Sequence, residues 1–184
     1  MLQCNFSPFP QLLTDHLLLR RVEAEDINEI FFLRSDKEVL KYLDKPVPTY
    51  EETIVFIKKV QDWEAKNEAI QWGICLKEDN KIIGTIGFWR MQPEHYRAEI
   101  GYVLHPGFHG KGIMDEAMKA VLDYGFREMK LHSVEANVNP LNVASARVLE
   151  KNNFMREGYF KENYFYNGSF IDSAIYSLIS PFPF

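Results

Sequence analysis

The stretch Glu99-Ile-Gly-Tyr-Val-Leu-His-Pro-Gly-Phe-His-Gly-Lys-Gly-Ile-Met-Asp-Glu-Ala117 reads as a strand, a glycine-rich turn and the start of a helix. Tyr96, Ala98, Ile100, Tyr102 and Leu104 alternate with Arg97, Glu99, Gly101 and Val103, the two-residue period of a strand. His105-Pro106-Gly107 breaks it, since proline removes a ladder donor and glycine admits a turn. From Ile113 the apolar positions run through Met114, Ala117, Met118, Val121, Leu122 and Phe126, one face of an amphipathic helix. Gly110-Lys111-Gly112 at a helix start suits an anion. The first helical N–H groups lack internal partners and sit at the positive end of the dipole, and glycine lets a phosphate approach without meeting a Cβ. Neither usual phosphate loop fits: Gly112 stands where a Walker loop needs Ser or Thr, and Asp115 where a dinucleotide fingerprint needs glycine. On the glycines alone, an ordinary tight turn stays open.

Working outward, the residues through Pro10 read as an extended arm and His16–Val22 as a short strand. Ala24–Leu33 reads as a helix with Glu25 and Asp26 in its first turn, where negative charge suits the dipole. Lys37–Leu43 follows as a helical turn stopped by Pro46 and Pro48. Thr49 and Glu52 make a capping pair for a helix through Asn67, with Ile54, Ile57, Val60, Ile70 and Trp63 near its buried face. Strands Ala69–Lys77 and Lys81–Trp89 join through a polar turn. Beyond the central helix, which runs to Glu128, come a strand (Leu131–Val138), a helix (Val143–Asn152) and a strand (Phe154–Glu162). Asn167-Gly168 between apolar runs is a strong hairpin signal. This order implies a single α/β domain over 1–184, a mixed, mostly antiparallel sheet of about seven strands flanked by about four helices.

The composition sets outer bounds. A chain of 184 residues, 46% hydrophobic and 26% charged, fits one globular domain. A net charge of −5 argues against general nucleic-acid affinity and is compatible with a cationic acceptor. Cys4 and Cys75 make no disulfide framework. Met1–Pro10 lacks a basic start and an apolar run, and no stretch approaches membrane-spanning length, so the expectation is a cytoplasmic protein without a membrane partner. His105 and His109 are separated by Pro106 and Gly107, which argues against a helical metal pair, and no metal is expected.

The residues Glu99–Ala117 resemble the central motif of the GNAT N-acetyltransferase superfamily, Gln/Arg-x-x-Gly-x-Gly/Ala. His109 stands at the first position, Gly112 at the fixed glycine and Met114 at the last. Asn139-Pro-Leu-Asn-Val-Ala-Ser-Ala-Arg-Val-Leu-Glu-Lys-Asn-Asn-Phe154 resembles the family's Asn-x-x-Ser/Ala-x-x-x-Leu-x-Lys-x-Gly-Phe segment, with Asn153 in place of glycine. The resemblance spans nearly the whole chain. It is closest to the branch that acetylates ribosomal-protein N-termini, where the opening Leu-x-Leu-Arg…Asp recurs, here Leu17-Leu-Leu-Arg20 and Asp26.

The resemblance implies transfer of acetyl from acetyl-CoA to a primary amine, with the pyrophosphate held by backbone N–H groups of His109, Gly110, Lys111, Gly112, Ile113 and Met114. It also implies that the end of the central strand, Tyr102, Val103 and Leu104, pairs with the pantetheine and polarises the thioester carbonyl as an oxyanion site. Asn142 is expected to hold the pantetheine arm, and Ser145 matches a serine used near the sulfur, where a hydroxyl can donate to a thiolate. Glu150 occupies the position at which many members carry a tyrosine.

Acyl transfer needs a neutral amine. An α-amino group with a pKa of ~7.7–8.0 loses its proton more readily than a lysine at ~10.4, and a placed carboxylate can take it. Glu99 is the first choice for that base, with Glu157 and Glu162 as rivals. The alternative for Glu99 is a solvent-facing strand residue paired with Arg97. Ser145 equally suits a helix cap, and Lys111 a solvated turn. No cysteine lies in the motif region, in keeping with direct transfer. Among Phe31, Phe32, Trp63, Phe88, Trp89, Tyr164 and Tyr166 most suit a core, while Trp89 and those by Asn167-Gly168 suit an acceptor groove. Pro181–Phe184 reads as a packed tail or a contact with a second subunit, so that a monomer and a homodimer both stay open. The leading acceptor is a protein N-terminus. A small amine, such as a polyamine, and a non-catalytic acyl-CoA sensor are the other readings.

Overall fold

The computed structural model describes residues 2 and 4–183. Its strands are β1 (Leu12–Leu13), β2 (Leu17–Arg21), β3 (Ile70–Leu76), β4 (Asp79–Gln92), β5 (Arg97–Leu104), β6 (Ser133–Val138), β7 (Met155–Tyr166) and β8 (Ser169–Ile179). Its α-helices are α1 (Ile27–Ser35), α2 (Lys37–Leu40), α3 (Tyr50–Ala65), α4 (Ile113–Arg127) and α5 (Val143–Lys151). Among the described residues the strands make one sheet, ordered β1-β2-β3-β4-β5-β6-β8-β7. Every neighbour is antiparallel except β5 with β6.

The mixed, mostly antiparallel sheet agrees with the expectation, with two additions. The extra strand, β1, is only two residues long and pairs Leu12 with Leu19 and Leu13 with Leu18, too short for a period to be read. The fifth helix is the single turn α2, where the sequence predicts a helical turn over Lys37–Leu43; it is started by Asp36, whose side chain accepts from the N–H groups of Glu38 and Val39, and it ends at Leu40.

Local chemistry explains the main boundaries. Thr49 and Glu52 form the full capping box at the start of α3. Its buried residues are Thr53, Ile57, Val60 and Glu64, whereas Ile54 is exposed, contrary to the face expected for it. The segment expected to be helical from Ala24 begins as a 3-10 turn, Ala24–Asp26, before α1. Arg20 locks that turn to β2 by donating to both carboxylate oxygens of Asp26, at 2.8 and 2.7 Å. Asn167-Gly168 makes the β7–β8 turn, with φ of 48° and 82° as a primed turn requires.

The sheet separates two cores. On one face α4 buries Met114, Ala117, Met118, Val121, Leu122 and Phe126 against Trp72, Ile86, Phe88, Ala98 and Ile100. On the other, Ile30 and Leu33 of α1 and Ile57 of α3 pack with Cys75 and Ile82, and Val103 packs against them. Alternation along β5 therefore sends Ala98, Ile100 and Tyr102 to the α4 face, and Glu99, Gly101 and Val103 to the α1–α3 face. Phe182 packs on the first core beneath Arg127, whose guanidinium lies 4.1 Å from its ring centroid, while Pro181 and Pro183 on either side are exposed. Phe184, the last residue of that tail, lies outside the described residues.

The feature that matters most for function is where β5 and β6 part. Their ladder consists of Arg97↔Ser133, Ala98↔Val134 and Glu99↔Glu135 and then stops, although β5 continues to Leu104 and β6 to Val138. Beyond Glu99 the two strands are no longer paired, and the gap between them is the cleft of the candidate site. No helix in the described residues is long and apolar enough to cross a membrane.

Candidate active site

The turn between β5 and α4 is shaped by its glycines. Gly110 and Gly112 have φ of 73° and 78°, the left-handed region that disfavours any residue with a Cβ. A Cβ built on either would meet nothing within 4 Å, so open space lies over this backbone. Gly112 is the N-cap of α4 and makes no side-chain cap bond. Ile113 and Met114 bury their side chains in the core, which leaves only their backbone for a ligand. The acids of the first turn are engaged elsewhere: Asp115 with Lys119, Lys151 and Asn152, and Glu116 with Thr14 and His16. Their carboxylates are thus held by neighbours beside an N-terminus suited to an anion.

The side chains of the turn fold back onto their own backbone. The His109 ring nitrogen Nε2 lies 3.0 Å from the Leu104 carbonyl oxygen. Lys111 donates to the Gly107 carbonyl at 2.9 Å, and His105 accepts from the Gly107 N–H at 3.0 Å. Both histidines are thereby occupied with backbone.

The cleft has different chemistry on its two sides. On the α4 face the Tyr102 hydroxyl lies 2.7 Å from Ser145 Oγ. Burial pushes the tyrosine pKa up to about 12, the serine hydrogen bond opposing, so the phenol stays protonated at neutral pH. Asn142 is the N-cap of α5, its side chain accepting from the Ser145 N–H at 3.1 Å. Resemblance to the family does not disclose the Tyr102 hydroxyl, because it concerns that residue's backbone. Strand alternation, which sends Tyr102 to the helix face, is the signal that finds it.

Ladder geometry also separates Val103 from its neighbours. The His105 N–H donates to the Ile83 carbonyl of β4 at 2.8 Å. In an antiparallel ladder alternate residues point their backbone groups the same way. Val103 therefore points its groups at β4, opposite Thr85, and Tyr102 and Leu104 point theirs into the cleft.

On the α1–α3 face stands Glu99, only 8% exposed. It is neither solvent-facing nor paired with Arg97, the alternative the sequence allowed. Arg97 pairs with Glu135, and Glu99 accepts from Arg90 at 3.0 Å. A bulge delivers Arg90: pairing with β5 is irregular between Trp89 and Gln92, and Arg90 has φ of 45°. Its guanidinium also lies 4.4 Å from the Trp89 ring centroid. Burial raises the Glu99 pKa above the ordinary carboxylate range, and the attraction of Arg90, Lys45 and Arg97 only partly offsets it. The rivals Glu157 and Glu162 are exposed on β7. Cys75 is buried, its thiol pushed up to about 11 by desolvation, which suits packing rather than nucleophilic work.

Trp89 is partly exposed beside this site, and Tyr164 donates its hydroxyl to Asp44. Tyr166 lines a groove of about 320 Å³ between residues 40–45 and the β7–β8 hairpin. Phe88, by contrast, is core, and Phe32 stacks on His105.

Comparison with known proteins is consistent with this geometry. The model of the acetyltransferase (GNAT) domain family matches residues 16–155. The uncharacterized N-acetyltransferase p20 of Bacillus licheniformis is 35% identical over 91% of this chain and 95% of its own. A GNAT-family acetyltransferase of Bacillus anthracis, known by crystal structure, superposes with a TM-score of 0.83 at 34% identity, covering 93% of this chain and 99% of its own. The [ribosomal protein uS5]-alanine N-acetyltransferase of Escherichia coli is 25% identical over 95% of this chain and 93% of its own.

Proposed function

The chain belongs to the GNAT acetyltransferase family, and from that premise we propose that its single domain transfers acetyl from acetyl-CoA to the α-amino group of an acceptor by direct attack. The carrying observation is the end of the β5–β6 ladder. The cleft begins at Glu99, a buried carboxylate on one face, and three residues on Tyr102 meets Ser145 on the other. A base and an acid on opposite sides of one opening suit a reaction in which a proton leaves the nucleophile and another reaches the leaving group.

Acetyl-CoA supplies an activated thioester carbonyl. The open backbone of Gly110–Gly112 and the first N–H groups of α4, at Ile113 and Met114, receive its pyrophosphate. Backbone groups of Tyr102 and Leu104 face the pantetheine and the thioester oxygen. Glu99, its pKa raised toward neutrality, takes the amine proton directly or through one water. The C–N bond forms as the C–S bond breaks, and the thiolate takes a proton from the Tyr102–Ser145 hydroxyl pair. Asn142 fixes the start of α5 and with it Ser145. Lys111 and His109 brace the turn.

For the acceptor, a protein N-terminus of ribosomal type is supported by the uS5-alanine N-acetyltransferase relative. The test is release of CoA from acetyl-CoA in the presence of N-terminal peptides or small amines. Release that depends on the amine and rises with a peptide acceptor is expected. Tight acetyl-CoA binding with no release across the panel would instead favour a non-catalytic acyl-CoA sensor.

A further inference from the structure

Across the β4–β5 ladder Trp89 stands opposite Glu99, so the two side chains share the α1–α3 face of the sheet. The indole leans along β5 over Gly101: a Cβ on that glycine would lie 3.4 Å from Trp89 Nε1 and 3.9 Å from its Cδ1. Gly101 is exposed, so beside Glu99 the sheet presents an aromatic wall over bare backbone. Tyr102, the next residue, begins the stretch that the proposed transfer uses for the pantetheine and the thioester oxygen.

Strand alternation would not put Arg90 on this face. The residue after Trp89 in a regular strand points to the opposite side. Arg90 instead takes a φ of 45°, a left-handed conformation costly for a residue with a Cβ, inside the irregular pairing between Trp89 and Gln92. Its guanidinium is thereby brought back to the side of Trp89 and Glu99. It lies 4.4 Å from the Trp89 ring centroid and 3.0 Å from the Glu99 carboxylate. Among the described residues it is the one hydrogen-bond partner of that carboxylate. The pair is unequal in burial, with the Glu99 side chain 10% exposed and that of Arg90 64%. A buried acid and an aromatic face are thus capped by a cation that can leave for water without disturbing the core.

We propose that Arg90 occupies, in the free chain, the seat of the acceptor's ammonium, with Trp89 and Glu99 as its walls. This rests on the acetyl-transfer reading above and adds how the amine is recognised. The acceptor docks as a cation between the Trp89 face and the Glu99 carboxylate, and Arg90 swings out to water. One proton then passes from the ammonium nitrogen to a Glu99 oxygen, directly or through one water, and the freed lone pair attacks the thioester carbonyl. Trp89 is a specificity-determining residue that favours a charged amine over a neutral group of the same shape. Arg90 is an internal competitor. Its loss strengthens acceptor binding and loss of Trp89 weakens it, whereas an arginine that held the acceptor would weaken binding when removed.

The experiment titrates the full chain, saturated with CoA, with methylguanidinium, the head group of Arg90, and with methylurea, its neutral planar analogue. Binding is followed by NMR at the Gly101 amide, at an alkaline pH that keeps Glu99 ionised. Methylguanidinium should bind about fivefold tighter than methylurea or better. Arg90→Ala should tighten methylguanidinium about tenfold, as expected when a seat filled about nine-tenths of the time is freed. Trp89→Leu should remove most of the preference and Trp89→Phe should keep part of it. With acetyl-CoA saturating, methylguanidinium should compete with the amine, and Arg90→Ala should lower the KM of the amine with little change in kcat. Equal binding of the two probes, a preference unaltered by Trp89→Leu, or weaker binding in Arg90→Ala overturns the proposal. So does methylguanidinium that binds without competing with the amine. Binding as expected, with no acetyl transfer to any amine, would sink the transfer reading and leave the cation seat standing. Transfer with equal probe binding would do the reverse.

Discussion

Replacing Glu99 by Gln tests the base most directly among single substitutions. Glutamine keeps the size of the side chain, and its amide oxygen can still accept from Arg90, now 3.0 Å from the carboxylate. The Arg90 side chain is 64% exposed, so water solvates whatever charge it regains. The buried carboxylate itself loses a desolvation cost. The two effects oppose, and stability should change by no more than about 1 kcal/mol. Activity should not be spared, because general bases contribute roughly 10²–10⁴-fold. The assay is kcat/KM across pH with a saturating peptide acceptor, alongside a urea melt. The Glu99 pKa is raised by burial, so the wild-type rate should rise with pH through a limb above the ordinary carboxylate range. In Glu99→Gln the rate should fall about 100-fold or more, without that limb and without a shifted melt. A variant that keeps about a third of the activity with the acid limb intact would refute the assignment.

Arg90→Ala removes the strongest attraction opposing the raised Glu99 pKa, so the acid limb should move to higher pH while the alkaline plateau persists, as a pH–rate profile will read. Tyr102→Phe and Ser145→Ala each break the 2.7 Å hydroxyl pair, and each should lower kcat about tenfold, with the double variant costing little more than either; steady-state kinetics of the cycle checks this. Gly112→Ala puts a Cβ into open space at φ 78°, costing the fold about 1–2 kcal/mol, and calorimetry should show CoA binding weakened about tenfold or more.

Much of the fold was legible because its signals are local. Thr49 with Glu52, Asn167-Gly168 and the apolar stripe from Ile113 to Phe126 each state a cap, a turn or a face within a few residues. The glycine turn was legible for the same reason. What escaped depends on contacts between distant segments. The burial of Glu99 follows from packing on the α1–α3 face. Its partner depends on a bulge at Arg90 with no turn residue to announce it, and alternation alone left Arg97 as the nearer candidate. The Tyr102–Ser145 bond joins residues 43 apart. Val103 and Leu104 could not be told apart in sequence either, because ladder phase depends on where β4 pairs.

The central claim is direct acetyl transfer to an amine, and mass spectrometry with isotopically labelled acetyl-CoA tests it most directly. Enzyme, labelled donor and an N-terminal peptide are mixed, and the intact masses of peptide and enzyme are followed together. The account predicts that the peptide gains the labelled acetyl on its α-amino nitrogen, while the enzyme, with or without acceptor, carries none. A labelled acetyl-enzyme that forms without acceptor and then discharges to the peptide would contradict direct attack. An unmodified peptide, together with unmodified small amines, would contradict the transfer itself.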